Sequence, residues 1–202
     1  MTSEPVRRGP NRRGIERRRQ IVEAASAVFA ELGYRGGSVR IIADRIGSSP
    51  ASLIQLFGSK EGLLIAVLED WAHRSRPADA REEAGINWFT RLPDVMAYNI
   101  ANRGLIELFH TMAAEASNPE HPAHQFIADR YATIVDEVSL HFREAIDAGD
   151  FRPMSAEKLN EETRTLFATM DGLQLQWLIN RDVDLAGTFN SYINQSLSRW
   201  RV

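Results

Sequence analysis

The stretch GSSPASLIQLFGSKEGLL, residues 47–64, marks out one helix at both ends. Ser49 is a side-chain acceptor suited to an N-cap, and Pro50 at the first helical position gives up an N–H that would lack a partner anyway. Gly58 supplies the stop. Only about seven residues, 51–57, lie between them. A helix that short is marginal alone in water, because nucleation is costly and few hydrogen bonds follow it. Its neighbours must hold it, and the polar Ser52 and Gln55 among its apolar residues need a reason.

Upstream, Ile21, Val22, Ala25, Val28, Phe29 and Leu32 follow the 3, 4 spacing of one buried helical face, which Gly33 ends. Ser38 is placed to cap a second helix that buries Val39, Ile42 and Ile46 before Gly47 stops it. Downstream, Ser59 caps a longer helix with Leu63, Leu64, Val67, Leu68 and Trp71 on one side. Two short helices joined by a tight turn with Gly47 match a helix-turn-helix unit, whose second helix enters the major groove with its N-terminal residues toward base edges. Leu53, Leu56 and Phe57 are then expected to hold the short helix, whose length suits a groove about 12 Å wide.

Ser52 and Gln55 sit three apart and share a face. Gln can pair bidentately with adenine, and Ser can bond to either base type. Ala51 lies between them and the capped end. Ser49 accepts from a first-turn N–H, and the remaining N–H groups can face a phosphate. Arg40 can reach phosphate or a guanine edge. Lys60 begins a helix, where a cation opposes the dipole, a conflict that a phosphate partner would resolve.

Charge supports a polyanion partner for this end of the chain. Through Lys60 there are eleven basic residues against five acidic, net +6, and since the 202-residue chain is −3 the remainder carries −9. The arginines also fit a solvated tail. Cysteine is absent, which excludes disulfides and thiolate metal sites. No apolar run approaches the roughly 20 residues of a membrane span, and no apolar segment follows the basic N-terminus, so neither a membrane anchor nor a secretory leader is expected. The expected place is the cytoplasm.

The rest of the chain reads as helices, with no period-2 runs and no hairpin turns. The expected class is all-α, about nine helices and no sheet. The expected organisation is a disordered basic arm over 1–14, a helix-turn-helix domain over 15–60, and a helical ligand-binding and dimerisation domain over 61–202.

The stretch from Ile21 to Leu64 resembles the DNA-binding domain of TetR-family transcriptional regulators, through "AA…VFAELGY", "SVR.IA…G" and "S…L…F.SKE.L". The resemblance implies an all-helical homodimer with an inducer pocket in its C-terminal domain and its last two helices paired across the dimer. Carried over by position, it implies DNA contacts at Ser38, Arg40, Ser49, Ser52, Gln55 and Lys60. Together with Ala51 and the arm residues Arg12 and Arg13, these form the expected DNA-contacting set. Three departures stand out. The family usually has Tyr after Leu53, then often another aromatic, then His, and this chain has Ile54, Gln55 and Leu56. The position before Ser38, often Thr, is Gly37. Some phosphate contacts are therefore missing. The arginine arm can compensate along the backbone or in a minor groove, and Ile54 can touch a thymine methyl.

For an inducer pocket the body offers Trp71, Met96, Asn99, Phe109, His110, Met112, Tyr131, Met170 and Gln174, an apolar set with a few placed polar groups. The same residues at helical spacing also fit plain core. The helices containing DGLQLQWL and FNSYINQSLSRW carry wide aromatic-rich faces, read as a dimer bundle or as monomer core. His121 and His124 in EHPAH have ligand spacing, but a loop also suits solvated histidines. Glu107 and His110 form one Glu-x-x-His, and a di-iron bundle needs two with two further Glu. No nucleophile elbow or phosphate loop occurs. The expectation is a cofactor-free, non-enzymatic dimeric regulator, a repressor released from a palindromic operator by a small apolar or amphipathic inducer. Its rivals are a regulator without an inducer and a helical carboxylate-metal enzyme.

Overall fold

The computed structural model describes residues 12–75 and 84–202. It is all-α, and no strand occurs among the described residues. The helices are α1 (Arg12–Gly36), α2 (Val39–Arg45), α3 (Pro50–Phe57), α4 (Lys60–Arg74), α5 (Ile86–Thr90), α6 (Leu92–Ala101), α7 (Arg103–Glu115), α8 (His124–Asp147), α9 (Ala156–Ile179) and α10 (Leu185–Trp200). The five-residue α5 is too short to leave a periodic signature in the sequence. Two compact units are formed, residues 1–70 and residues 71–202.

In the first unit α2 packs against both α1 and α3. Ile21, Val22, Ala25, Val28 and Phe29 of α1 are buried with Ile42 and Ala43 of α2 and Leu53 of α3. Arg45 joins α2 to α1 through two hydrogen bonds to Glu31, at 3.0 and 2.8 Å. Two expected core residues lie outside this core: Leu32 is 48% exposed and Leu56 is 45% exposed. Leu32 immediately precedes Gly33, whose φ of 68° and ψ of 173° break the helical path inside α1. Leu56 comes three residues after the buried Leu53, about 60° round the helix, and falls at the exposed edge of that face. The turn after α2 depends on Gly47 at φ 59°, with Ala43 and Asp44 carbonyls accepting from Ser48 and Gly47 at 2.9 and 3.3 Å.

The arm expected over 1–14 is corrected at its end. α1 begins at Arg12, so Arg12 and Arg13 are helical and exposed. Residues 1–11, the rest of that arm, lie outside the described residues. Arg19 bonds Glu16 at 2.8 Å, an i, i+3 pair that supports this first stretch of helix.

In the second unit α10 packs on α6, α9 and α5, while α8 packs on α9 and α5. Its centre is a ring cluster. Trp200 lies 4.8 Å from Phe142, 5.3 Å from Phe89 and 5.7 Å from Phe151 between centroids. Of the aromatics on the two faces read as dimer bundle or monomer core, Trp177, Phe189 and Trp200 lie in the core of the unit. α9 places a buried carboxylate beside the cluster. Glu162 accepts from the Trp200 indole at 3.0 Å and from Arg199 at 2.9 Å, with Lys158 at 3.0 Å.

Burial pushes the Glu162 carboxyl up, but Lys158, Trp200 and Arg199 outweigh it and hold the group below its ordinary value. A carboxylate held low in the folded state contributes stability above its unfolded pKa, and that contribution is lost as pH falls through the folded value. Chemical denaturation is therefore expected to show the second unit weakening below about pH 4.5, the ordinary range of the group. Glu162→Gln is expected to flatten that acid limb.

Candidate functional site

In the first unit the DNA-facing candidates lie around α3. The Ser49 side chain caps α3, accepting from Ser52 N at 3.2 Å, and the Ser49 and Ser52 hydroxyls lie 2.8 Å apart. One hydroxyl proton is used between the two, which leaves the other as a donor at the helix start. Pro50, Ala51, Ser52, Ile54, Gln55 and Leu56 are exposed, and Leu53 alone is buried on this helix. Gly58, at φ 80°, closes the helix with its N–H donating to Ile54 O at 2.8 Å. Eight residues span about 12 Å, close to the width of a major groove.

Around this helix stand the other candidates. Ser38 caps α2, accepting from Ile41 N at 3.2 Å. The Arg40 side chain is 85% exposed, and its nearest carboxylate, Asp44, is 4.0 Å away, an interaction of little strength at the surface. Gly37 has a local reason: a Cβ there would meet the Phe29 ring at 2.6 Å. The ring occupies the space that a threonine would need.

Lys60 differs from expectation. Its ammonium donates to Tyr34 O at 2.6 Å and lies 4.3 Å from the centre of the Tyr34 ring. Burial pulls its pKa down. The phenol of Tyr34 in turn donates to Glu61 at 2.9 Å. The clash of a cation with the start of α4 is thus settled inside the protein, without a phosphate. Lys60→Met is expected to lower the stability of the first unit by about 1 kcal/mol, read by urea melts. It is expected to leave the salt slope of DNA binding unchanged.

In the second unit a cavity of about 100 Å³ opens between the end of α4 and helices α5 to α9. Of the expected ligand residues, Trp71, Asn99, Phe109, Tyr131, Met170 and Gln174 line it, and Met96, His110 and Met112 do not. These three stand one layer back. Met112 is buried core. Met96 lies 3.5 Å behind the Gln174 amide, and His110 lies 3.1 Å from the Gln174 oxygen. Both act on the cavity by orienting Gln174. The Trp71 indole donates to Asn99 at 3.3 Å, and Tyr131 donates to Asp171 at 2.7 Å. Burial raises both the Tyr131 phenol and the Asp171 carboxyl.

Charged wall residues were missed by composition alone: Arg91, Arg130, Glu137 and Asp171. The signal was present on α8. Arg130, Ile134, Glu137 and Val138 fall at i, i+4, i+7 and i+8, so two charges ride an apolar stripe. The Arg130 guanidinium lies 4.9 Å from the Trp71 ring centre and 5.3 Å from that of Phe109. The histidines of EHPAH serve the loop: His121 Nδ1 accepts from Ala123 N at 3.2 Å, and His124 donates to Ala116 O at 2.8 Å.

A head of short helices with a capped, exposed third member, and a helical body with an internal cavity, define a helix-turn-helix regulator fold. Residues 21–67, within the first unit, match the family model described as "Bacterial regulatory proteins, tetR family". The chain is 33% identical over 114 residues to the HTH-type transcriptional repressor AcnR of Corynebacterium diphtheriae, covering 56% of this chain and 46% of that one. It is 47% identical over 66 residues to the HTH-type transcriptional activator FasR of Mycolicibacterium smegmatis, covering 30% of each. The match thus spans about half or less of these curated relatives' length. The fold is shared with the transcriptional regulator FadR of Bacillus subtilis, solved in complex with stearoyl-CoA, at a TM-score of 0.72 and 22% identity over 89% of this chain and 97% of that one.

Proposed function

We propose that the chain is a homodimeric transcriptional repressor that reads a palindromic operator with α3 and leaves it when a small apolar or amphipathic inducer fills the cavity of the second unit. The exposed row Ala51, Ser52, Ile54 and Gln55 on a capped helix carries the DNA half of this reading. Ser38, Ser49 and Arg40 supply the surrounding phosphate contacts, with Arg12 and Arg13 on the first turn of α1 adding charge. A single helix-turn-helix reads one half-site, and a two-fold pair reads two, about 34 Å apart. Leu175 and Ile179, four residues apart on α9, are 47% and 79% exposed and supply an apolar stripe for such a pair. The regulator works in the cytoplasm, with the chromosome, and no single described helix is long and apolar enough to cross a membrane.

The ligand half is supported by the largely apolar cavity and by FadR, which was solved with an acyl-CoA. The repressor sign is supported by AcnR, with FasR as the counterexample of an activator. We assign α4 as the lever, since its sequence runs from Glu61 in the first unit to Trp71 in the cavity wall. A ligand that favours a dimer with mismatched recognition helices lowers operator affinity by its differential affinity for the two states.

Selection of bound duplexes from random DNA, followed by release assays with a metabolite library, tests both halves. The expected result is a palindrome and at least one releasing compound. An asymmetric single site would remove the dimer, and absence of any sequence preference would remove the regulator. A palindrome that no compound releases would remove the inducer alone.

A further inference from the structure

The polar groups that line the cavity are unequally committed. The charged ones are in use. Arg91, Arg130 and Glu137 each already interact within the protein, and the two guanidiniums are matched by two carboxylates, Glu137 and Asp171, so the wall carries no net charge. The neutral ones are half used. A Trp indole N–H can only donate, so Asn99 turns its oxygen to Trp71 at 3.3 Å, and its NH₂ meets no acceptor among the described residues. Gln174 meets His110 through its oxygen at 3.1 Å, and its NH₂ reaches only the Met96 sulfur at 3.5 Å, a weak acceptor. Both side chains are buried, at 2% and 3% exposed, where an unmet donor is costly. Asp171 takes the Tyr131 hydroxyl on Oδ2 at 2.7 Å, which leaves Oδ1 as an acceptor.

These groups lie close together. Asp171 and Gln174 are three residues apart on α9 and share a face. Met96, which Gln174 touches, is one turn from Asn99 on α6. The wall thus offers two N–H donors and one carboxylate oxygen, bordered by apolar side chains of Val95, Ile134 and Phe167. A ligand carboxylate accepts from both NH₂ groups but sets its negative charge beside Asp171. A ligand ammonium donates to Asp171 and leaves both NH₂ groups unmet. Either one brings an unbalanced charge into a wall that is neutral without it, at a desolvation cost. A primary carboxamide meets all three groups and brings no charge.

We propose that the ligand of this cavity is an uncharged amphiphile with a carboxamide-type head, whose carbonyl oxygen accepts from Asn99 and Gln174 and whose N–H donates to Asp171, while its apolar body packs against Val95, Ile134 and Phe167. This rests on the cavity being the effector site, and it specifies the chemistry of the effector. Charged molecules of the same shape satisfy only part of the cluster, which is how the site tells them apart.

Calorimetry on the full chain with phenylacetamide, phenylacetate and phenethylamine tests this, since the three share a ring and carry charges of about 0, −1 and +1 at neutral pH. Phenylacetamide is expected to bind at least about tenfold more tightly than the other two. Two near-isosteric variants are expected to move the preference in opposite directions. Asn99→Asp keeps the acceptor for Trp71 and replaces a donor by a charged oxygen, so phenethylamine is expected to overtake the amide. Asp171→Asn keeps the acceptor for Tyr131 and replaces the carboxylate oxygen by a third NH₂, so phenylacetate is expected to overtake it. Thermal melts confirm folding. Asp171→Asn removes a buried charge and retains the Tyr131 bond, so it decides the matter should Asn99→Asp fail to fold. Equal or tighter wild-type binding of the acid or the amine overturns the proposal while leaving the cavity an effector site. Failure of all three to bind, or retention of the wild-type ranking by either folded variant, overturns it as well. The effector reading itself stands or falls on the separate operator-release screen.

Discussion

Trp200→Ala is expected to lower the stability of the second unit by about 3–5 kcal/mol, the cost of emptying a large aromatic site in a packed core. The ring is 1% exposed and touches Phe89, Phe142 and Phe151, which come from α5, α8 and the segment after α8. Removing it leaves a void beside three rings that already touch one another, at 4.6, 5.5 and 5.9 Å between centroids, and so have little room to close it. It also strips one donor from the buried Glu162 carboxylate. The melting temperature is expected to fall by about 10 °C or more. Trp200→Phe separates the two contributions. It keeps most of the ring burial and loses the indole N–H, so it is expected to cost about 1–3 kcal/mol. A loss under about 1 kcal/mol for Trp200→Ala would show that the ring cluster is not the centre of the unit.

Gln55→Ala is expected to relax base preference at one position in each half-site, costing roughly 1–3 kcal/mol of discrimination there. The side chain is exposed on α3, one turn from Ser52, and makes no contact that holds the unit together. No charge is changed, so the salt slope is expected to stay the same. Arg40→Ala is the contrast: it is expected to weaken all duplexes alike and to reduce the slope by about 1. Binding profiles across a randomised half-site, measured at two salt concentrations, separate these outcomes. An unchanged profile for Gln55→Ala would move base reading elsewhere on the helix. Ile54 is the next residue to examine, because it is 40% exposed where a tyrosine usually stands in the family, and a thymine methyl is the group it suits.

Helix ends were read most securely from residue types. Ser38 and Ser49 each accept from an N–H three residues on, and Gly47 and Gly58 each adopt positive φ at the turn where a stop was expected. These are contacts within four residues, which residue chemistry alone decides. The cavity was read less fully. Trp71, Asn99 and Gln174 follow from apolar stripes with one polar member, whereas Met96, His110 and Met112 have the same periodicity and stand behind the wall. Periodicity tells which side of a helix turns inward and leaves open whether that side meets a cavity or another side chain.

The amino-acid order by itself determined the all-α class, the capped short helix with its exposed Ser52 and Gln55, and the basic head on an acidic body. Each of these rests on neighbours within a turn or on composition. Tertiary structure decided the partners that are far apart in the chain. Lys60 meets a carbonyl 26 residues away, in place of the phosphate that its position suggested. Asn99 is turned by an indole 28 residues away, and Gln174 by a histidine 64 residues away. A hydrogen bond fixes which end of a carboxamide faces the cavity, and only the folded chain brings that donor within reach.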